Sequence, residues 1–156
     1  MKQLVYRQFI EDLKVLFNRD TPTITLLANF CAELKVRFPL FSWVGFYLYD
    51  GQRLILGPFQ GKPACETIEL NRGVCGASAT NQKTIVVPDV HKFPGHIACD
   101  GGSNSEIVVP IVVANKLYGV LDIDSYSFNN FDDVDKEGLE EAIGYITTLL
   151  KPITTR

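Results

Sequence analysis

Residues 42–56 read SWVGFYLYDGQRLIL, and this stretch decides the fold. Aromatic and branched side chains, which favour strands, dominate it on both sides of residues 50 and 51. Those two residues are Asp50-Gly51, a dipeptide typical of tight hairpin turns because both residues tolerate positive φ. The stretch therefore predicts an antiparallel hairpin made of Ser42–Tyr49 and Arg53–Leu56.

Helical patterns lie on the N-terminal side of this hairpin. Apolar residues recur at helical spacing over residues 4–17 and again over residues 27–38. Thr21 followed by Pro22 predicts the start of the second helix, with Thr21 as its N-cap and Pro22 at its first position.

The C-terminal side mixes short strands with helices. The patterns predict a strand at 66–70, a helix at 74–80, a strand at 84–87, a hairpin of 107–114 with 117–125, and a last helix from about Asp132. This order predicts a single α/β domain of the α+β type over residues 1–156. Its central sheet should be mostly antiparallel, with the N- and C-terminal helices packed on one face.

Composition and charge exclude several classes of function. The chain has 156 residues, with 15 Lys and Arg against 18 Asp and Glu, and a formal net charge of −3 at pH 7. No basic surface is expected for a nucleic acid, and the apolar runs are too short to span a membrane. The first residues do not resemble a signal peptide, because Glu11 and Asp12 soon follow. We therefore expect a cytoplasmic protein with no nucleic-acid or membrane partner.

The four cysteines are the candidate reactive groups. In a reducing compartment they are not expected to form permanent disulfides, so each is core filler, a metal ligand or a reactive thiol. Cys31 falls in the apolar stripe of the second predicted helix and is assigned to the core. Cys65 lies in a connection near Lys62, and its local sequence favours neither a functional nor a structural role.

Cys75 and Cys99 are the stronger candidates. Cys75 is expected in the first turn of a helix, close to Arg72, where the pKa of a thiol is lowered. Local electrostatics therefore select Cys75 as the nucleophile. Cys99 lies in a long, polar, glycine-containing loop at 88–105. Long loops in small domains are usually functional, and His96 is a candidate assistant to this thiol.

Two other uses of these residues fit the sequence less well. Structural zinc sites use closely spaced ligand pairs, and the only tight pair here is His96 with Cys99, so no bound metal is expected. A papain-type hydrolase needs a general-base histidine that is held by a third group. His91 and His96 are the only histidines in the chain, and neither has an obvious orienting partner in the sequence.

Carboxylates could form an acidic group beside a thiol. Asp122 and Asp124 alternate with apolar residues, which places both on one face of a strand. Mutual repulsion in an enclosed site would keep one carboxyl protonated, as a proton donor, and the group would attract an ammonium. Glu106 would face the other way in a regular hairpin. Since Pro110 interrupts its strand, we expect a bulge between Glu106 and the turn that reverses the alternation.

Aromatic residues could supply an apolar wall. Trp43, Gly45 and Tyr47 fall on one face of the first predicted strand, where the small Gly45 leaves room beside two large rings. Core packing is the commoner explanation for such aromatic residues, and a ligand wall is the alternative.

Six strings taken together are more specific than any one of them. They are WVGFYL at 43–48, LGPFQGK at 56–62, RGVCG at 72–76, HIACD at 96–100, SNSEIV at 103–108 and GVLDIDS at 119–125. In this order they resemble the free methionine-(R)-sulfoxide reductases, which are single-domain proteins of the GAF fold. Pro63 departs from the family pattern, in which a branched apolar residue is expected.

The resemblance implies roles for the site residues. Cys99 becomes the attacking thiol, Cys65 the thiol that resolves it as a disulfide, and Cys75 an auxiliary thiol, which replaces the choice of Cys75 made from local electrostatics. Glu106, Asp122 or Asp124 would donate the proton, and the same carboxyls would bind the substrate ammonium. Trp43 and Tyr47 would hold the methyl-sulfoxide end.

The resemblance also implies the reaction and its partners. The activity would be thiol-dependent reduction of free methionine-R-sulfoxide with no bound cofactor. Thioredoxin, reduced by NADPH through thioredoxin reductase, would recycle the disulfide. A homodimer is compatible with the helical face. The alternative function is a non-enzymatic GAF-type module that binds a small ligand or senses redox state.

Overall fold

The computed structural model describes residues 1–97, 99 and 101–152. Ala98 and Asp100 of the HIACD string, and the last four residues of the predicted domain, lie outside the described residues. The elements are α1 (Lys2–Leu16), α2 (Thr23–Arg37), β1 (Trp43–Tyr49), β2 (Leu54–Gln60), β3 (Thr67–Ile68), α3 (Gly73–Asn81), β4 (Ile85–Val87), a 3₁₀ turn (Val90–Lys92), β5 (Ser105–Val113), β6 (Lys116–Ser125) and α4 (Asp133–Thr147).

All six strands form one antiparallel sheet in the order β3-β2-β1-β6-β5-β4. The predicted hairpin at 42–56 is confirmed as β1 and β2. Its turn is fastened by Asp50, whose side chain accepts hydrogen bonds from the backbone N–H groups of Gln52 and Arg53. β2 extends to Gln60, further than predicted. A bulge places two of its residues, 57 and 58, opposite the single residue Phe46, and pairing with β1 continues beyond it.

α2 begins one residue later than predicted. The helix begins at Thr23, with Pro22 as its N-cap. Thr21 is not the cap, since its hydroxyl accepts a hydrogen bond from the backbone N–H of Asn18 instead, within the preceding turn.

The three longest helices, α1, α2 and α4, cover one face of the sheet, as predicted. Their apolar stripes, which include Phe9, Phe30 and Leu139, pack against Phe46 and Ile123 of the sheet in one cluster of buried side chains. Cys31 is fully buried in this layer, as its assignment to the core predicted. No helix in the described part of the chain combines the length and apolar character needed to cross a membrane.

The opposite face of the sheet is covered differently. A second apolar cluster there contains Trp43, Tyr47 and Val108 from the sheet, together with Val74 and Cys75 from α3. Because α3 is short and the rest of this cover is the connection between β4 and β5, the layer leaves a cavity over β1, β5 and β6.

A bulge in the second hairpin decides which side chains reach that cavity. β5 and β6 pair in one register from Ser105 to Ile111 and in a shifted register beyond it, which leaves Tyr118 as the extra residue. Glu106 therefore lies directly opposite Asp124. The predicted bulge is confirmed, but it lies in β6 and not at Pro110, which pairs regularly with Val120.

Candidate active site

One cavity gathers seven of the eight candidate site residues. Its lining includes Trp43, Tyr47, Cys75, Cys99, Glu106, Asp122 and Asp124. Tryptophan and tyrosine come from β1, the carboxyls from β5 and β6, and Cys75 from α3. Residues that are distant in sequence thus converge because neighbouring strands present the same face at one end of the sheet.

The eighth candidate, Cys65, reaches the cavity through a disulfide. Cys65 and Cys99 are 34 residues apart in sequence, and their Cα atoms lie 5.4 Å apart with the two sulfurs bonded. Both residues are half-buried. A thiol pair that is accessible, and that borders a cavity, has the properties of a redox-active disulfide.

The carboxyl groups form a buried acidic cluster. Glu106 and Asp122 are each only 6% exposed. Burial, followed by the charges of Asp122 and Asp124, raises the pKa of Glu106 well above its ordinary value. Burial also raises the pKa of Asp122. The raised pKa of Glu106 favours its protonated form, which can act as a proton donor.

Asp122 also has an unused acceptor. Its Oδ1 is buried and has no hydrogen-bond partner among the described residues. A buried carboxylate oxygen without a partner is costly, and an ammonium group is a suitable donor for it. The cluster therefore offers both a proton donor and a cation acceptor within one cavity.

The environment of Cys75 contradicts the prediction made from its helix position. The thiol is buried beside the acidic cluster, and burial together with the charge of Asp122 raises its pKa well above the ordinary value. Arg72, which was expected to lower that pKa, is the exposed N-cap of α3. A buried thiol next to carboxylates is a poor nucleophile.

The aromatic residues form a stacked wall. The ring centroids of Trp43 and Tyr47 are 6.0 Å apart, and Phe59 stacks on Trp43 at 5.3 Å. Gly45 makes this possible, because a Cβ at that position would overlap the Trp43 ring and lie 2.6 Å from the Cβ of Phe59.

The same two aromatic residues hold the segment that carries Cys65, which sequence reasoning missed. The indole N–H of Trp43 donates to the backbone oxygen of Lys62 at 2.9 Å. The Tyr47 hydroxyl donates to the backbone oxygen of Cys65, also at 2.9 Å. Nothing in the sequence shows these partners, because 18 and 19 residues separate them.

Sequence reasoning also missed Ser103. Its side chain is 6% exposed, lines the cavity, and has no hydrogen-bond partner for its Oγ among the described residues. The only sequence signal was its place in the SNSEIV string.

The structure shows the surroundings of both histidines. His91 does have an orienting partner, Asp89, at 2.8 Å from its Nδ1, contrary to the sequence reading, but neither residue lines the cavity. His96 lines it, and burial lowers the pKa of His96, which favours a neutral ring.

Cys75, Glu106 and Asp122 offer ligand atoms within 4.8 Å of one another. This set differs from the His96–Cys99 pair considered in the sequence. A metal bound there would have to displace the protons that burial favours on these groups.

Comparison with known proteins places these features in a family. A model of the GAF domain matches residues 22–151. A free methionine-R-sulfoxide reductase of Escherichia coli (strain K12) is 45% identical over 145 residues, which cover 93% of this chain and 88% of the relative. A second protein with the same name, from Saccharomyces cerevisiae, is 54% identical over 104 residues, or 64% of this chain and 58% of the relative.

Solved structures agree with the sequence comparison. The free methionine-R-sulfoxide reductase from Neisseria meningitidis, in complex with its substrate, superimposes with a TM-score of 0.92 at 40% identity, covering 96% of this chain and 90% of that one. The reduced form of fRMsr of Staphylococcus aureus gives a TM-score of 0.90 at 46% identity, covering 94% and 95%. This chain therefore belongs to the free methionine-R-sulfoxide reductase family of GAF domains.

Proposed function

We propose that this protein reduces free methionine-R-sulfoxide to methionine with its own cysteine thiols. The observation that carries the proposal is the Cys65–Cys99 disulfide at the border of a cavity that also holds a buried acidic cluster. Family membership supports the same activity, because relatives that cover most of the chain carry this name.

The first step is attack by the Cys99 thiolate on the sulfoxide sulfur. The sulfoxide oxygen receives a proton as its bond to the methionine sulfur breaks, and the raised pKa of Glu106 supports this carboxyl as the donor. Methionine is released in its reduced form. The bond that the attack formed between the Cys99 and methionine sulfurs breaks as the oxygen transfers to the Cys99 sulfur, which becomes a sulfenic acid, so Cys99 loses the two electrons that the substrate gains.

The second step closes the disulfide. The Cys65 thiol attacks the Cys99 sulfenic sulfur, the S–S bond forms, and the oxygen leaves as water. Closure prevents further oxidation of Cys99. The direct bond between the two sulfurs shows that the backbone permits this product.

Cys75 is proposed as an auxiliary thiol. Its burial and its raised pKa suit a residue that packs against the acidic cluster better than one that attacks substrate.

The acidic cluster and the aromatic wall support selection of a free amino acid. The unpartnered Oδ1 of Asp122, with Asp124 beside it, suits the substrate ammonium, which a residue within a polypeptide lacks. Trp43 and Tyr47 present an apolar surface for the methyl-sulfoxide end. The resident residues can perform the chemistry without a bound cofactor.

Recycling requires an external dithiol. We include thioredoxin, itself reduced by NADPH through thioredoxin reductase, as that reductant, and the cytoplasm as a compartment where it is kept reduced. Self-association as a homodimer is part of the same proposal, with the exposed apolar residues Leu4, Val36 and Leu40 of the helical side as candidates for the contact.

The test is an assay of NADPH consumption with thioredoxin, thioredoxin reductase and free methionine-R-sulfoxide. The protein should consume NADPH with the R-sulfoxide, and far less with the S-sulfoxide or with N-acetyl-methionine sulfoxide, which lacks the ammonium. Cys99→Ser should abolish activity, whereas Cys31→Ala, a change in the helical layer, should retain it. Equal activity of Cys99→Ser and the unaltered protein would refute the proposed nucleophile, and a non-enzymatic module would show no turnover with any substrate.

A further inference from the structure

Ser103 carries a hydroxyl that the fold does not use. The residue is 6% exposed, and its Oγ is buried with no hydrogen-bond partner among the described residues. A buried hydroxyl without a partner costs free energy, and such groups in native proteins need an explanation. Ser103 also lines the cavity that contains Cys99 and Glu106.

The residues that follow Ser103 are bonded differently. Asn104 donates from its side chain to the backbone oxygen of Tyr126 at 2.7 Å, and Ser105 donates from its hydroxyl to that of Ser127 at 2.6 Å. These bonds, with the start of β5, hold the backbone next to Ser103 in place. Ser103 is therefore held by its neighbours at the wall of the cavity.

Among the described residues, no carboxyl of the cavity accepts a hydrogen bond from the Ser103 hydroxyl. Glu106, Asp122 and Asp124 line the same cavity, and a hydroxyl within reach of a carboxylate would donate a hydrogen bond to it. Since Ser103 makes no such bond among the described residues, its hydroxyl proton is not committed to a carboxylate, and a substrate oxygen is a suitable acceptor for it.

We propose that the Ser103 hydroxyl donates a hydrogen bond to the sulfoxide oxygen of the bound substrate and stabilises it during reduction. The proposal rests on the proposed function. Ser103 lies in the chain between Cys99, which attacks the sulfur, and Glu106, which supplies the proton, and all three border one cavity. As the S–O bond breaks, negative charge grows on the oxygen, and a preorganised donor then binds it more strongly than in the ground state.

Ser103→Ala and Ser42→Ala form a matched pair for the test. Ser42 Oγ is also buried and finds no partner within the described part of the chain, but Ser42 does not line the cavity. Pre-reduced protein is mixed with free methionine-R-sulfoxide without a reductant, and methionine formed in the single turnover is followed. Ser103→Ala should slow this step by about 10- to 100-fold, whereas Ser42→Ala should leave it unchanged.

Two further measurements separate this role from others. Methionine lacks the sulfoxide oxygen, so its inhibition constant as a competitive product should be the same for Ser103→Ala and the unaltered protein. Thermal unfolding of both alanine variants should occur at the same temperature as the unaltered protein or higher, because each loses an unpaired hydroxyl.

Three results would overturn the proposal. They are equal single-turnover rates for Ser103→Ala and the unaltered protein, a rise in the methionine inhibition constant that matches the loss of rate, or a marked drop in the unfolding temperature of Ser103→Ala alone. Failure of the proposed function itself is distinguishable, since the unaltered protein would then form no methionine.

Discussion

The hydroxyl of Tyr47 donates a hydrogen bond of 2.9 Å to the backbone oxygen of Cys65. Tyr47 thereby connects the aromatic wall of the cavity to the segment that carries half of the disulfide. Trp43 makes an equivalent bond to the backbone oxygen of Lys62. The wall that is proposed to bind the substrate therefore also holds the segment of the cysteine that is proposed to act in the second step.

Tyr47→Phe should slow disulfide closure more than methionine formation. The ring and its stacking on Trp43 remain, but the bond to Cys65 is lost. One neutral hydrogen bond is worth about 1 kcal/mol, which corresponds to a closure rate about five-fold lower. Trapping of the Cys99 sulfenic acid with dimedone, followed by mass spectrometry, measures its lifetime.

Tyr49→Phe is the control for Tyr47→Phe. Tyr49 lies on the same strand and donates to the backbone oxygen of Gly51 in an exposed turn, so its loss should not change the sulfenic acid lifetime. Equal lifetimes for Tyr47→Phe and Tyr49→Phe would show that Tyr47 does not position Cys65.

The rate of methionine formation should depend on pH through Glu106. Burial and the charges of Asp122 and Asp124 raise the pKa of Glu106 well above 4.5. A proton donor acts in its protonated form, so the rate should persist through neutral pH and fall as the pH rises through that raised pKa. Single-turnover methionine formation by pre-reduced protein, measured across pH, gives the profile.

Glu106→Gln tests whether deprotonation of Glu106 causes the fall in rate at alkaline pH, which is the alkaline limb of the profile. The amide keeps the shape of the side chain but cannot transfer the proton, so the rate should fall and its alkaline limb should disappear. An unchanged alkaline limb in Glu106→Gln would assign the proton to another group.

Gly45→Ala should disturb the aromatic wall. A Cβ at this position overlaps the ring of Trp43, so the ring must shift, with a loss of about 1–3 kcal/mol in the free energy of unfolding and a higher KM for methionine sulfoxide. Gly144→Ala is the control, since a Cβ there meets no atom within 4 Å and alanine favours its helix. An unaltered KM in Gly45→Ala would indicate that Trp43 does not contact substrate.

Asp135→Ala should destabilise the fold without affecting the site. This buried carboxylate accepts from the Tyr6 hydroxyl and the Lys2 ammonium at 2.7 Å each, and from the backbone N–H of Asp132 at 2.9 Å. Removing it leaves the buried Tyr6 hydroxyl unpaired and leaves Lys2 only its contact with Asp132, at a cost of about 3 kcal/mol. Denaturant unfolding of Asp135→Ala and of the exposed Asp133→Ala measures the difference.

The two variants should also be compared at the active site. The folded fraction of Asp135→Ala should reduce methionine sulfoxide at the normal rate, because this network ties α1 to α4 on the far side of the sheet. Equal stability of the two variants would contradict the importance of the network.

Sequence periodicity predicted the layers of the fold. Strand alternation put Trp43 with Tyr47 on one face of β1, and Asp122 with Asp124 on one face of β6, because a period of two fixes the side of each residue once the strand is recognised. That the two pairs share a face of the sheet follows from the pairing of β1 with β6. The bulge that turns Glu106 to that face was also predicted, but its position in β6 was not, since register depends on pairing between strands.

Contacts between segments that are distant in sequence could not be predicted from local patterns. The environment of Cys75 was predicted wrongly because its first-turn position is local information, whereas its burial beside Asp122 and Glu106 is not. The Cys65–Cys99 pair followed only from the resemblance to a family, as a separation of 34 residues does not indicate a bond. The partners of Tyr47 and the unpaired hydroxyl of Ser103 required atomic positions.

All of the proposed chemistry requires that Cys99 takes the oxygen and that Cys65 then bonds to it. Pre-reduced protein can be given free methionine-R-sulfoxide without thioredoxin, alkylated, digested and analysed by mass spectrometry. We expect one methionine released per chain, one linked peptide pair that contains Cys65 and Cys99, and alkylated Cys31 and Cys75. Methionine release with all four thiols still alkylated, or with Cys75 in the linked pair, would contradict the mechanism.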